Sequence, residues 1–401
     1  DYPNVPAEGE VLLPAAVLAA EPSLSLQMET AGWESRRFAE RSAPLSPPTV
    51  TYSRTRGDAE SKQEVGVHLP VGTWLQQSRS LAADSAGWGT SERQIVELQA
   101  TRRRLIAYSD AVASKVELAQ AMDRLEALKI LEELTRRQRE IAAVPESELL
   151  NLRIERFDAD DAVATARETA LRATERLAVE LSIPIGEAAN LQRRLPLKLP
   201  SMSNLPETPS GGRLDVKMAE DALQQQRSSA SRARMGTWLS GLEVGLLQER
   251  TGAGQQANTV ELSWRLPFGG EESRQADLND RLVRQAEFQL RGTLQNVDRE
   301  LAESSRAKVA ATKSLELATQ ALKDAEAWME EQVYRYSGML IGPHDLLRAA
   351  GRLRTVRSRY VAAERGAFVA DLDAHFSKTI PIQSAVAASV APAATPAGAT
   401  H

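Results

Sequence analysis

The chain has 401 residues and a formal net charge of −5, so its charge gives no indication of a nucleic-acid partner. It contains no cysteine, which excludes disulfide bonds and thiolate metal sites, and its four histidines are scattered. Aromatic residues make up only 4%, and Ala, Leu, Glu, Arg and Gln dominate, as is typical of long helices. The sequence contains no run of about 20 apolar residues, so no transmembrane helix is predicted. The first residues do not resemble a signal peptide, so we expect a chain that is either cytoplasmic or already processed.

Residues 1–191 alternate between helical and extended patterns. The predicted elements are, in order, a helix over about 11–42, a β-hairpin over about 49–71, a long helix over 73–143 and a helix over 146–181. The hairpin is predicted because two extended segments flank a polar loop. Val144-Pro145 separates the two later helices, and acidic residues at 146 and 148 favour a new helix start there.

The second half of the chain repeats this plan after a linker at 192–212, which is rich in proline and contains a Gly-Gly pair. Its predicted elements, spanning 213–378, are a helix over about 215–234, a β-hairpin over about 238–268, a long helix over 271–336 and a helix over 344–377. The hairpin is taken to begin with Trp238 in its first strand. Residues 379–401, mostly Ala, Pro and Thr, are predicted to form a disordered tail.

The two halves match without a gap at an offset of 197 positions. Glu64–Gly72 aligns with Glu261–Gly269 at the end of a strand, and Glu148-Leu149-Leu150 aligns with Asp345-Leu346-Leu347 at the start of a helix. Leucine- and alanine-rich helices align easily by chance. Agreement of a strand end, a turn and a helix in one register does not arise so easily, and it predicts an internal duplication.

The second strand of the second predicted hairpin has one apolar and one polar face. Val260, Leu262, Trp264 and Leu266 alternate with Glu261, Ser263 and Arg265. Four such strands cannot close a barrel, because about eight are needed. A long helix of about 65 residues would extend roughly 95–100 Å, more than one compact domain covers. We therefore predict antiparallel coiled-coil helices and a barrel shared by several chains, with these four apolar side chains facing lipid.

The chain resembles the outer-membrane efflux protein (TolC-like) family over about residues 11–378. The resemblance is carried by the duplication and by four segments, which are Ala15–Leu24, Arg213–Glu220, Leu266–Gly270 and Tyr336–Ala349. Leu214 departs from the family, which usually has proline after the arginine. The short length is similar to the heavy-metal efflux (CzcC-like) branch.

The resemblance implies a homotrimer with a 12-stranded transmembrane β-barrel in the bacterial outer membrane and an α-helical barrel across the periplasm. It implies an exit duct of a tripartite efflux system, docked through a periplasmic adaptor (membrane fusion) protein to an inner-membrane RND-type pump. Many members carry a lipid on an N-terminal cysteine, and this chain contains none.

The resemblance also indicates a periplasmic aperture at the second helical turn. Asp345 is the candidate gate residue, because the family often closes its aperture with acidic side chains, and Arg348 and His344 are its candidate partners. The alternative is that Asp345 only complements the helix dipole and that His344 is an ordinary polar residue at a helix start. Candidate tip or adaptor contacts are Glu148, Asn151, Gly338, Gly342 and Pro343.

The sequence contains no nucleophile with a base, no phosphate-binding loop and no ligand cluster, so neither an enzyme nor a cofactor is predicted. The function predicted is a passive duct that carries heavy-metal cations from the periplasm to the exterior. A drug-efflux or type I secretion duct is the alternative within this class. A soluble coiled-coil adaptor or scaffold protein is the alternative from another class.

Overall fold

The computed structural model describes residues 14–19, 27–28, 30–32, 47–56, 61–71, 74, 88–140, 145–199, 212–239, 242–251, 256–264, 270–338 and 340–382. Parts of several sequence predictions lie outside these residues. They include most of the first helix over about 11–42, residues 75–87 and 141–143 of the long helix over 73–143, the strand end at Leu266, the linker over 200–211 and the tail over 383–401. The backbone of Trp264 is described, but its side chain is not.

Seven helices and four strands are named here, within the described residues. In chain order they are α1 (Pro14–Ala19), β1 (Thr49–Arg56), β2 (Ser61–Leu69), α2 (Trp88–Glu140), α3 (Glu146–Glu180), α4 (Ala188–Arg194), α5 (Leu214–Leu239), β3 (Leu242–Thr251), β4 (Gln256–Trp264), α6 (Gly270–Ser337) and α7 (Pro343–Phe376). A short 3₁₀ helix, Ile185–Glu187, precedes α4. None of the described helices combines the length and the apolar character needed to cross a membrane.

The predicted start of the second hairpin is wrong. Trp238 belongs to helix α5, which continues to Leu239, and strand β3 begins only at Leu242. The pattern was misleading because Trp238 and Leu242 lie four positions apart, a spacing that fits a helical face as well as one side of a strand. The helix over 215–234 was accordingly predicted five residues too short at its end.

Two segments predicted to be loose are in fact packed. The predicted linker begins at residue 192, but residues 192–194 complete α4, and Leu195 and Leu199 are buried. The ammonium of Lys115 donates hydrogen bonds to the carbonyls of Arg193 and Leu195. The tail was placed from residue 379, but Thr379 and Ile380 are buried and their amides both donate to the carbonyl of Phe376.

The helix ends follow the offset seen in the sequence. Helices α2 and α6 end at Glu140 and Ser337, which are 197 positions apart, and α3 and α7 begin at Glu146 and Pro343, at the same offset. These matching ends support the duplication, which stays a prediction about the chain's history.

The chain forms two compact units, and each contains segments from both sequence repeats. Unit 1 comprises Asp1–Met28, Val96–Gly211 and Asp298–His401, and unit 2 comprises Glu29–Ile95 and Gly212–Val297. Unit 1 therefore holds α3, α4, α7 and most of α2 and α6. Unit 2 holds the four strands and α5. The repeats are divisions of the sequence, whereas the compact units arise from packing between them.

The core of unit 1 joins the two repeats at their helical turns. We call tip cluster the buried residues Leu128, Leu131, Leu152 and Ala159 together with the partly buried Leu125, Tyr336, Leu346 and Leu347 that pack on them. The first four come from the first repeat, as does Leu125, and the last three come from the second. Further along unit 1, Arg102 of α2 donates to Asp373 of α7 at 2.7 Å, and the hydroxyls of Ser304 and Ser377 lie 3.0 Å apart.

Unit 2 contains an antiparallel sheet of order β1-β2-β3-β4. The register pairs Val50 with Val67, Val67 with Leu246, and Leu246 with Val260, so these side chains share one face. That face is exposed in the single chain, with Val260 71% and Leu262 68% accessible. Glu261 lies between them and therefore on the opposite face, which confirms the predicted alternation at these three positions.

One carboxyl in unit 1 makes the folding stability depend on pH. Burial raises the pKa of Glu364 in α7, although the nearby Lys198 opposes this shift. Because the pKa in the folded state is above its unfolded value, the contribution of this group to stability is present below the unfolded pKa. That contribution is lost as the pH rises through the folded pKa.

We therefore expect Glu364→Gln to raise the melting temperature relative to the native chain at pH 7.5, and to leave it nearly unchanged at pH 4. Circular dichroism of the full chain in neutral detergent measures both. Glu168→Gln, an exposed position on α3, is the control and should show no such pH-dependent gain. An equal effect of Glu364→Gln at both pH values would contradict the linkage.

Candidate functional site at the helical turns

The second helical turn is closed by backbone hydrogen bonds. The amide of Gly338 donates to the carbonyl of Tyr334 at 3.0 Å, and the amide of Leu340 donates to that of Arg335 at 2.8 Å, so two of the last carbonyls of α6 are satisfied. Gly342 is extended at the N-cap of α7, and its carbonyl accepts from the amide of Asp345 at 3.2 Å. Pro343 occupies the first position of the helix, where its missing amide hydrogen costs nothing.

Asp345 and Arg348 form a loose pair within α7. A guanidinium nitrogen of Arg348 lies 4.0 Å from a carboxylate oxygen of Asp345, and the two side chains are 62% and 53% exposed. The predicted gate carboxylate thus already has a cation beside it within its own chain. An exposed pair of this kind contributes only about 0–1 kcal/mol, so it is weak enough to be exchanged for another partner.

Three of the predicted residues line one cleft in unit 1. His344 and Arg348 reach it from the start of α7, and Asn151 reaches it from α3. The cleft has a volume of about 1120 Å³ and is bordered by α2, α3, α6 and α7. His344 and Asn151 are exposed. The first and second helical turns, which are remote in sequence, are therefore neighbours in the fold.

The predicted contact residues differ in exposure. Asn151 and Gly338 are exposed, Glu148 and Gly342 are partly buried, and Pro343 is buried. One carboxylate oxygen of Glu148, Oε2, is buried and has no hydrogen-bond partner among the described residues. Burial raises the pKa of the Tyr336 phenol, and the negative charge of Glu148 raises it further. Glu148 thus interacts with the end of α6 from the other repeat, and it lies at the junction of the two turns.

The residues that join the turns, and those that give the cleft its charge, were not predicted from the sequence. Tyr336, Leu346 and Leu347 complete the tip cluster, and Arg352, Arg354 and Arg357 of α7 line the cleft. The signal was present in the sequence, because α7 carries five arginines between 348 and 359 and no acidic residue there. The described residues contain no group of three His, Cys, Asp or Glu side chains that could hold a metal ion.

Comparison with known proteins supports the fold. No family model matches the chain, and no curated protein matches it in sequence. Among solved structures, the Campylobacter jejuni CmeC outer membrane channel is similar with a TM-score of 0.67 and 14% identity, over 90% of this chain and 84% of that one. The fold is that of outer membrane channels. CusC, studied for transmembrane channel formation, gives a TM-score of 0.67 and 12% identity over 94% and 97% of the two chains.

A third structure agrees with this fold. The Neisseria gonorrhoeae MtrE outer membrane channel, solved in an open state, is similar with a TM-score of 0.64 and 15% identity, over 91% of this chain and 87% of that one. The predicted fold class, long helices with four strands per chain, is therefore confirmed for the single chain. At identities this low the likeness concerns the fold alone.

Proposed function

We propose that the chain is the outer-membrane exit duct of a tripartite efflux system, located in the bacterial outer membrane with a periplasmic helical domain. The observation that carries this proposal is the sheet of unit 2, whose apolar face is exposed. Val50, Leu246, Val260 and Leu262 are each more than half accessible in the single chain. A soluble scaffold would leave this apolar surface in water, whereas a membrane-spanning strand requires it to face lipid.

The unpaired edges of the sheet support assembly from several copies. Among the described strands, β1 and β4 are the two edge strands, and each pairs with a neighbour on one side only. Because unsatisfied backbone groups are costly in lipid, such edges must be paired within a membrane. In the proposed homotrimer β1 of one copy pairs with β4 of the next, and twelve strands close the barrel. The apolar faces meet lipid and the polar faces line the lumen.

The proposed duct works passively, without catalysis and without a cofactor. Its helical end meets a periplasmic adaptor protein, which links it to an inner-membrane RND-type pump. The proposed contacts with the adaptor are Asn151, Gly338, Gly342, Pro343 and Glu148. Their support is that the fold brings the two helical turns together, so one partner can contact both.

Asp345 is the proposed gate residue, with Arg348 and His344 beside it. We expect Asp345→Asn to increase the open probability of the channel in planar bilayers by no more than about fivefold, since an exposed ion pair is worth about 0.2–1 kcal/mol. Glu331→Gln, which removes the exposed pair with Arg335 on α6, is the matched control and should leave the open probability unchanged. An identical response of both variants would remove the gate role of Asp345.

The cargo proposed from the sequence is a heavy-metal cation, and the alternative is an organic compound or a secreted protein. The arginines that line the cleft favour the organic alternative, because they repel free cations. Deletion of the gene and growth tests against single metals and single drugs decide between them. A deletion strain that is sensitive to metals alone supports metal efflux. A deletion strain that is sensitive to drugs alone rules out a metal cargo.

A further inference from the structure

The cleft of unit 1 combines an apolar floor with a basic rim. Leu128 and Leu131 of α2, Ile154 of α3 and Leu347 of α7 contribute apolar surface. Ile154 is 59% exposed, so part of this surface is open to solvent. The volume of about 1120 Å³ lies just above the range of roughly 300–1,000 Å³ that is usual for ligand-binding clefts.

The charged groups of the lining are mostly arginines. Five arginines line the cleft, against two acidic residues, Asp123 and Glu155. Glu155 is already paired with Arg124 at 2.7 Å, and Arg357 is paired with Glu326, which does not line the cleft, at 3.1 Å. The cleft therefore keeps an excess of positive charge that comes from α7.

Three arginines of α7 remain available to a ligand. Among the residues that the structure describes, the ion pair of Arg348 is the loose one with Asp345 at 4.0 Å. Arg352 lies over the ring of Trp328, with its guanidinium carbon 5.5 Å from the ring centroid. Stacking of this kind leaves the N–H groups at the edge of the guanidinium open to a ligand. Within the described residues, Arg354 forms no ion pair. Guanidinium groups bind carboxylates and similar anions through paired hydrogen bonds.

We propose that this cleft is a binding site for amphipathic organic anions, meaning molecules with an apolar body and one carboxylate or comparable head group. The body lies on the leucine and isoleucine floor. The head group is held by Arg348 and Arg352, which are four positions apart and therefore lie on one face of α7. Neither the apolar floor nor the arginines alone would select amphipathic anions. An apolar floor binds neutral molecules equally well, and exposed arginines bind small anions only weakly. The site does not depend on the proposed duct, because binding needs no conduction.

Quenching of Trp328 fluorescence tests the proposal. The full chain is titrated in neutral dodecyl maltoside with 2-bromododecanoate, whose bromine lies next to the carboxylate and quenches tryptophan on contact. The neutral methyl ester of the same acid is the matched ligand. The chain has six tryptophans, so the contribution of Trp328 is obtained by subtracting the signal of the Trp328→Phe variant. We expect the acid to reach half-quenching at about a tenfold lower concentration than the ester, as expected for charge-assisted hydrogen bonds.

Two variants assign the preference to the cleft. Arg348→Gln with Arg352→Gln is expected to raise the half-quenching concentration of the acid about tenfold and to leave that of the ester unchanged. Arg359→Gln removes one positive charge from α7 outside the cleft and should change neither. Equal quenching by acid and ester in the native chain overturns the proposal without any variant. It is also overturned by no quenching above the Trp328→Phe signal, or by equal effects of Arg359→Gln and the double variant.

Discussion

Val260→Arg is expected to abolish accumulation of the chain in the outer membrane, whereas Glu261→Arg, one residue further along β4, is expected to be tolerated. Val260 is 71% exposed on the apolar face of the sheet. An arginine placed near the middle of the bilayer costs about 2–4 kcal/mol, and three copies in one barrel multiply that cost. The same charge on the polar face meets water in the lumen.

Cell fractionation followed by immunoblotting measures this difference, and heat-modifiable migration of the assembled form confirms it. The two outcomes separate the membrane duct from the soluble scaffold. In a soluble protein Val260 is already in water, so arginine would cost little and would improve solubility. Normal outer-membrane levels of Val260→Arg would therefore contradict the lipid-facing assignment of this face.

Leu152→Ala is expected to destabilise unit 1 by about 2–5 kcal/mol, the range for truncating a buried leucine. Leu152 is 1% exposed and packs in the tip cluster with Leu128 and Leu131. Because this cluster joins the two repeats at their turns, the cavity weakens contacts on both. Thermal unfolding of the full chain, followed by circular dichroism in neutral detergent, measures the loss.

Leu150→Ala is the matched control for this change. It lies two residues away on the same helix but is 49% exposed, so its truncation should alter stability by no more than about 0.5 kcal/mol. Trypsin cleavage near Arg153 reports the local effect and should be faster in Leu152→Ala only. Equal stability of the two variants would show that the tip cluster does not hold the turns together.

Most of the local structure follows from the sequence, because its signals are short-range. The period-two alternation around Glu261 predicted the two faces of β4, and Val144-Pro145 separated α2 from α3. The ends of α6 and α7 lie within one residue of those predicted. Trp238 was misassigned because a spacing of four is compatible with a helix and with a strand.

The site could be predicted only in part. Asp345 and His344 were placed correctly at the start of α7, since proline and glycine mark the turn before it. The neighbourhood of Glu148 and Tyr336 was not predicted, because it depends on packing between segments almost 190 residues apart. The basic lining of the cleft was missed for the same reason. A sequence shows that α7 is rich in arginine but not which apolar surface those arginines surround.

In the proposed duct, the chain forms its membrane wall only together with further copies of itself. Native mass spectrometry of the full chain, extracted from the outer-membrane fraction in neutral detergent, measures this assembly. We expect a particle of three 43.8 kDa chains. A monomer recovered from the soluble fraction would contradict it.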